Sequence, residues 1–123
     1  MDRNCFSNCK FSSMYYLLLS GFIPEHKQSE FEQTCLLVSS QIPQTCSGYS
    51  FHRDEKNPYK YRFISYWPDG EEVEKYMKSP GYIMLSGAFS TLGELIEQAN
   101  GKLVYSVSKN LLNEDTLWPD PKL

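Results

Sequence analysis

From Met14 to Ile23 the chain reads Met-Tyr-Tyr-Leu-Leu-Leu-Ser-Gly-Phe-Ile, aromatic and aliphatic at odd and even positions alike, and it stops at Pro24. A short run of this kind predicts a strand buried on both faces. From Glu25 the period lengthens, because Phe31, Cys35, Val38 and Ile42 line one face of a helix that Pro43 ends. Gln44 to Gly48 is a turn. Tyr49 to Asp54 then alternates Tyr49, Phe51 and Arg53 against Ser50 and His52, and Tyr59 to Trp67 alternates Tyr59, Tyr61, Phe63, Ser65 and Trp67 against Lys60, Arg62, Ile64 and Tyr66. These are two strands, joined by the polar stretch Asp54 to Pro58 as an antiparallel hairpin. Asp69 with Glu72 three residues on has the form of a capping box, which starts a helix near Gly70. Ser79-Pro80 offers a fresh cap, so the helix breaks near Lys78 and restarts through Tyr82, Leu85, Phe89, Leu92 and Ile96 to end at Asn100-Gly101. Lys102 to Ser108 alternates Leu103, Tyr105 and Val107 as a last strand.

The order βαββαβ predicts an α+β, ferredoxin-like domain, one four-stranded antiparallel sheet with its helices on one face. It divides the chain into an N-terminal extension over 1–13, the folded domain over 14–109, and an irregular C-terminal arm over 110–123 that holds Trp118. Strands one and three are apolar on both faces, and a lone two-layer domain would leave half of that surface wet. A second copy packed sheet to sheet is the economical cover, so a homodimer is expected.

Composition narrows the function classes. The 123 residues suit one domain, and the 41% hydrophobic and 15% aromatic content excludes disorder as the main state. Twelve Lys and Arg against fifteen Asp and Glu leave a net charge of −3, which gives no general attraction to nucleic acid or anionic lipid. No apolar stretch approaches the roughly 20 residues of a membrane-spanning helix, so no membrane partner is expected. The polar start carries no secretory apolar core, and a cytoplasmic location is expected. The four cysteines, Cys5, Cys9, Cys35 and Cys46, then read as reduced thiols rather than metal ligands, since they form no Cys-x-x-Cys pair and have no nearby His.

Several segments resemble the antibiotic-biosynthesis-monooxygenase-like proteins of the dimeric α+β barrel superfamily. They are Phe22-Ile-Pro-Glu-His-Lys-Gln-Ser-Glu-Phe31, Gly48-Tyr-Ser-Phe-His-Arg53, and Arg62-Phe-Ile-Ser-Tyr-Trp67 followed by Val73-Glu-Lys-Tyr-Met-Lys-Ser-Pro80, within a similarity that covers about Tyr15 to Ser108. The resemblance implies a dimeric barrel and, as one of the family's activities, oxygenation of quinones or polyketides without metal or flavin. The haem-degrading branch of these barrels relies on an Asn in strand one, a Trp before the helix break and a His beyond it. This chain has Leu19 or Ser20, Tyr76 and Ser86 at those places, so no haem and no other cofactor is expected.

A cofactor-free oxygenase needs a dry aromatic pocket, a base and hydrogen-bond donors. The resemblance places such a pocket between sheet and helices, lined by Tyr16, Phe51, Phe63, Trp67, Tyr82 and Phe89, although the same aromatic stripe also reads as plain core. His52 and Tyr76 are the catalytic candidates, with His52, Trp67 and Tyr76 expected to converge. His52 could serve as a base or be a structural, dimer-facing histidine, and Tyr76 could donate a hydrogen bond or simply pack. His26, the other histidine, reads as solvated, and the acidic run Asp69, Glu71, Glu72 and Glu74 as a solvated helix start. There is no glycine-rich phosphate loop and no Gly-x-Ser-x-Gly. The expected function is monooxygenation of a small aromatic, quinone- or polyketide-like substrate. The alternative is a non-catalytic barrel that binds a small hydrophobic molecule or serves as an interaction module.

Overall fold

The computed structural model describes residues 14–104. The expected N-terminal extension with Cys5 and Cys9, the strand positions beyond Val104, and the Trp118 arm lie outside the described residues. The elements are β1 (Tyr15–Phe22), a 3-10 turn (Glu25–Lys27), α1 (Gln28–Ser40), β2 (Gly48–Arg53), β3 (Lys60–Trp67), α2 (Gly70–Met77), α3 (Pro80–Leu92) and β4 (Glu94–Lys102). They form one four-stranded antiparallel sheet in the order β2-β3-β1-β4, the ferredoxin-like arrangement expected from the chain.

β1 and β3 pair along their whole length, from Tyr15 opposite Trp67 to Phe22 opposite Lys60. Being central, both bury side chains against the helices, with Leu17, Leu19, Phe63 and Trp67 each fully buried. The helices close over this face. Phe31 of α1 meets Tyr61 edge-on at 4.9 Å and Phe89 of α3 at 4.7 Å, which ties the first and last helices to the sheet. Helix starts follow the sequence signals: the Asp69 side chain accepts from the Glu72 N–H at 2.9 Å, and the Ser79 hydroxyl accepts from the Tyr82 N–H at 3.3 Å.

One boundary differs from the sequence expectation. The last helix ends at Leu92 rather than running past Ile96, and the last strand begins at Glu94 rather than Lys102. The cause is tertiary. At Gly93 the backbone passes so close to β1 that an added Cβ would stand 1.9 Å from the Phe22 carbonyl oxygen, and one at Gly21 would stand 2.3 Å from the Glu94 carbonyl oxygen. Glycine at both places lets α3 turn into β4 through a single residue. The register then shifts between Ser20 and Gly21, a bulge that absorbs Ile96.

Candidate functional site

The best-formed cleft, about 610 Å³, lies where the end of α1, the end of β3 and the α2–α3 junction meet. Trp67, Tyr76, Gln41, Glu72, Lys75 and Gly81 are among its lining residues. Each is delivered by a local feature. Gln41 follows the last turn of α1. Trp67 is the inward-facing end of β3, its indole N–H donating to the Ser65 hydroxyl at 2.8 Å. Tyr76 sits one turn before the Ser79-Pro80 break and stacks on Trp67, centroids 4.8 Å apart and planes 30° apart. Gly81 follows Pro80, and a Cβ there would stand 3.5 Å from Gln41 Oε1 and 3.9 Å from the Tyr76 hydroxyl. The absence of a side chain at 81 thus leaves space beside both polar atoms.

Among the described residues, the hydroxyls of Tyr76 and Tyr82 are the buried side-chain polar groups with no hydrogen-bond partner. Their rings meet edge-on at 5.7 Å. A buried hydroxyl left unpaired costs on the order of 1–3 kcal/mol, so two together mark a place where a ligand's acceptor atoms would be favoured. Burial, with smaller contributions from nearby Cys46, Tyr82 and Tyr49, pushes the Tyr76 phenol well above its ordinary value, and burial pushes Tyr82 up to about 12. Both are therefore donors at neutral pH, not bases. The ionisable groups of the cleft are Glu72 and Lys75, paired at 3.7 Å, with the Glu72 side chain 23% exposed and Lys75 74%.

The structure brings together only some of the residues expected from the sequence. Trp67 and Tyr76 line the cleft, and Tyr82 stands behind Tyr76. Phe63 and Phe89 are buried core that does not line it, Phe89 packing on Phe31 and beside Gly21 towards the other end of the sheet. Phe51 packs at a tilt on Phe63, centroids 4.9 Å apart, and faces a separate hollow of about 380 Å³ between α1 and the β2 edge, beside Glu32, Cys35 and Tyr61. In that hollow the Tyr61 hydroxyl donates to Glu32, which Arg53 also approaches at 3.8 Å. Two residues lie on the other face of the sheet, which corrects the expected pocket lining by Tyr16 and the expected convergence of His52 with Trp67 and Tyr76. Tyr16 pairs with Tyr66 and Gly101, and its ring lies over Gly101. His52 pairs with Arg62, is exposed, and hydrogen-bonds Ser50 at 2.8 Å. Strand alternation is the reason: Phe51 points to the helices, so His52 cannot. Gln41, Lys75 and Gly81 were missed because each lies beside a helix boundary that reads as punctuation. Glu72 reads from the sequence only as part of a cap and of a solvated acidic helix start.

Among the described residues no three His, Cys, Asp or Glu side chains gather to hold a metal, and no helix is long and apolar enough to cross a membrane. Comparison with curated protein sequences gives no match. Solved structures share the fold. A conserved protein from Methanosarcina mazei superposes with a TM-score of 0.63 at 14% identity, covering 75% of this chain and 92% of its own. A conserved protein of unknown function from Bacteroides thetaiotaomicron gives 0.65 at 13%, covering 74% and 98%. A variant of SnoaB, a cofactor-independent oxygenase from Streptomyces nogalater, gives 0.61 at 13%, covering 79% and 97%. The family profile for antibiotic biosynthesis monooxygenase matches residues 14–83, from the start of β1 into α3, a span that contains every lining residue of the cleft. The chain belongs to the antibiotic biosynthesis monooxygenase family.

Proposed function

We propose that this chain is a cofactor-independent monooxygenase that oxidises a small aromatic, quinone- or polyketide-like substrate in the cleft over Trp67 and Tyr76. The observation that carries this reading is the Tyr76 hydroxyl, buried, unpartnered and set against a cleft of about 610 Å³. That volume lies within the range of roughly 300–1,000 Å³ typical of small-molecule sites. A flat ring can lie in the cleft beside Tyr76, and a carbonyl oxygen on it would accept from the Tyr76 hydroxyl on the side where Gly81 leaves room.

The substrate supplies the electrons. In an anthrone-like substrate the methylene between the rings, conjugated through them to the carbonyl, loses a proton; its carbanion reduces O₂ and joins it, and the peroxide takes the proton back to give a hydroperoxide. Loss of water then leaves a carbonyl, with one oxygen atom in the product and the other in the water. The chain's part is to bind the ring, keep water away, donate to the enolate oxygen and take the proton. Tyr76 is the donor. Glu72, with Lys75 beside it to balance charge, is the base. A homodimer completes the reading, the second copy covering the sheet face that carries Leu18, Ile64 and Ala99 in one cross-strand row.

The cleft holds no histidine, which favours the second reading, a barrel that binds a small hydrophobic molecule without turning it over. Oxygen uptake across hydroquinones and anthrone-like compounds, run beside thermal unfolding with the same compounds, separates the two. Monooxygenation predicts uptake of O₂ that tracks product carbonyl. Thermal protection with no uptake from any compound that protects would establish the binding reading instead.

A further inference from the structure

Helix α3 opens with a glycine that the helix itself does not need. Glycine is disfavoured against alanine in a helix, and at Gly81 no backbone crowds the place of a side chain. The nearest atoms to an added Cβ are Gln41 Oε1 at 3.5 Å, Gln41 Cβ at 3.9 Å and the Tyr76 hydroxyl at 3.9 Å. These are ordinary contacts, unlike the 1.9 Å and 2.3 Å that exclude a side chain at Gly93 and Gly21. The fold would accept a methyl group, and the gap stays open instead. Gly81 is buried, and two of the three atoms around the gap are polar. Tyr76, 3% exposed, leaves its hydroxyl without a partner there. Gln41 comes to the gap from the other side, at the end of α1. Its backbone is fixed, the N–H donating to the Val38 carbonyl at 2.9 Å, and Pro43 follows two residues on. The hydrogen bonds around the cleft run from Trp67 to Ser65, from the Glu72 N–H to Asp69 and from the Tyr82 N–H to Ser79, and none of them engages the Gln41 carboxamide. A carboxamide carries an acceptor on one side and two N–H donors on the other, and a half-turn about its last bond exchanges them.

We infer that Gln41 is a catalytic residue that donates, together with Tyr76, to one substrate oxygen held over Gly81, so that the three residues form an oxyanion hole. The inference rests on the monooxygenase reading given above and adds a second donor to it. When Glu72 takes the methylene proton, the C–H bond breaks and its electron pair moves through the ring onto the carbonyl oxygen. That oxygen, a weak acceptor as a neutral ketone, becomes a strong one as the charge arrives, and donors already in place hold the enolate more tightly than the ketone. The charge returns to carbon when the carbanion joins O₂, and the grip relaxes. Lys75 is the other donor of the cleft, but it is paired with Glu72 at 3.7 Å and 74% exposed, which leaves the enolate to the two neutral groups. The missing side chain at 81 is then what lets one oxygen stand beside both donors.

The test uses the full chain and a flat phenol as a stand-in for the enolate, para-nitronaphthol, whose anion is coloured and carries its charge on an oxygen. Its methyl ether has the same rings and no charge. At about pH 8 the naphthol is an anion, while Tyr76 and Tyr82 keep their protons. Wild type should bind the anion at least about tenfold tighter than the ether, against a net charge of −3 and the Glu72 carboxylate. Gln41→Ala should lose about tenfold in anion affinity and less than twofold in ether affinity. Gln41→Glu, equal in size but charged, should lose more. Gly81→Ala should lose anion affinity as well, with a melting temperature equal to or above that of wild type. With a compound that the wild type oxidises, Gln41→Ala should lower kcat on the order of 10²-fold and leave KM within about threefold, because the bond strengthens only as charge develops. Equal anion affinity in wild type and Gln41→Ala, equal loss of anion and ether, or no preference for the anion in wild type would each overturn the oxyanion hole. Unchanged kcat in Gln41→Ala would overturn the catalytic role and leave monooxygenation standing. An anion preference that depends on Gln41, in a chain that takes up no O₂ with any compound, would support the two-donor site and overturn monooxygenation instead.

Discussion

Tyr76 lies flat on Trp67 with its hydroxyl buried and unpaired, so the ring and the oxygen of one side chain serve different ends. The ring contributes packing that the fold needs, and the oxygen costs stability until a ligand accepts from it. Tyr76→Phe separates the two. The variant should be more stable without ligand by about 1 kcal/mol and should lose roughly tenfold in turnover, which corresponds to one hydrogen bond. Thermal unfolding and oxygen uptake on the same preparations check both signs. A loss of stability together with a loss of activity would assign the hydroxyl to the fold alone.

Glu72→Gln should lower turnover on the order of 10²–10⁴-fold, the range for removal of a general base, while keeping the side chain's size. His52→Ala, on the opposite face of the sheet, should leave kcat within about twofold, because strand alternation denies it the cleft. Full activity in Glu72→Gln would remove it from the chemistry. Collapse of kcat in His52→Ala, with the dimer intact, would return the histidine to it.

Alkaline pH should undo the fold in a defined window. Burial, aided by the Glu32 carboxylate, raises Cys35 from 9.0 to about 12, and Tyr61 and Tyr82 are each pushed from 10.0 up to about 12. A group whose pKa is higher folded than unfolded keeps its proton longer in the native state. Its contribution is therefore whole below the unfolded pKa and is lost as pH rises to the folded value. Stability should be level up to about pH 9 and fall steadily towards pH 12. Urea titrations at stepped pH, followed by circular dichroism, would show the slope, and a curve level through pH 11 would refute it.

Gly87 lies within α3, and nothing stands within 4 Å of where its Cβ would be. Gly87→Ala should therefore stabilise by about 0.5–1 kcal/mol, by removing backbone freedom from the unfolded chain at no steric cost. In a domain of this size the melting temperature should rise by roughly 2–6 °C. A fall in Tm would mean that the position is covered in the assembled protein.

Much of the fold was legible because its signals are local. Alternation along Tyr61, Phe63, Ser65 and Trp67 set the inner face of β3, and Asp69 and Ser79 named two helix starts. The end of α3 was not legible, because Leu85, Phe89, Leu92 and Ile96 keep helical spacing straight across Gly93. What stops the helix is the Phe22 carbonyl, remote in sequence. The cleft was half legible for the same reason: Trp67 and Tyr76 announce themselves as aromatics, whereas Gln41, Lys75 and Gly81 matter only through where three segments meet. For His52 the sequence already held the answer, since a residue next to Phe51 on a strand must face the other way, but the expected convergence with Tyr76 ignored that alternation.

The single residue between α3 and β4 fixes one end of the helix whose other end borders the cleft. With Gly93 pressed against the Phe22 carbonyl and its N–H donating to the Phe89 carbonyl at 3.1 Å, the far end of α3 has no slack. The near end has a joint at Ser79-Pro80, where one helix stops and the next begins. A bar pinned at one end and jointed at the other moves by pivoting. The first turn of α3, where Gly81 and Tyr82 are buried, is where such a pivot would be felt. Ser79 thus has two parts, capping α3 through the Tyr82 N–H and lining the cleft, so that a substitution there alters the joint and the cleft wall together.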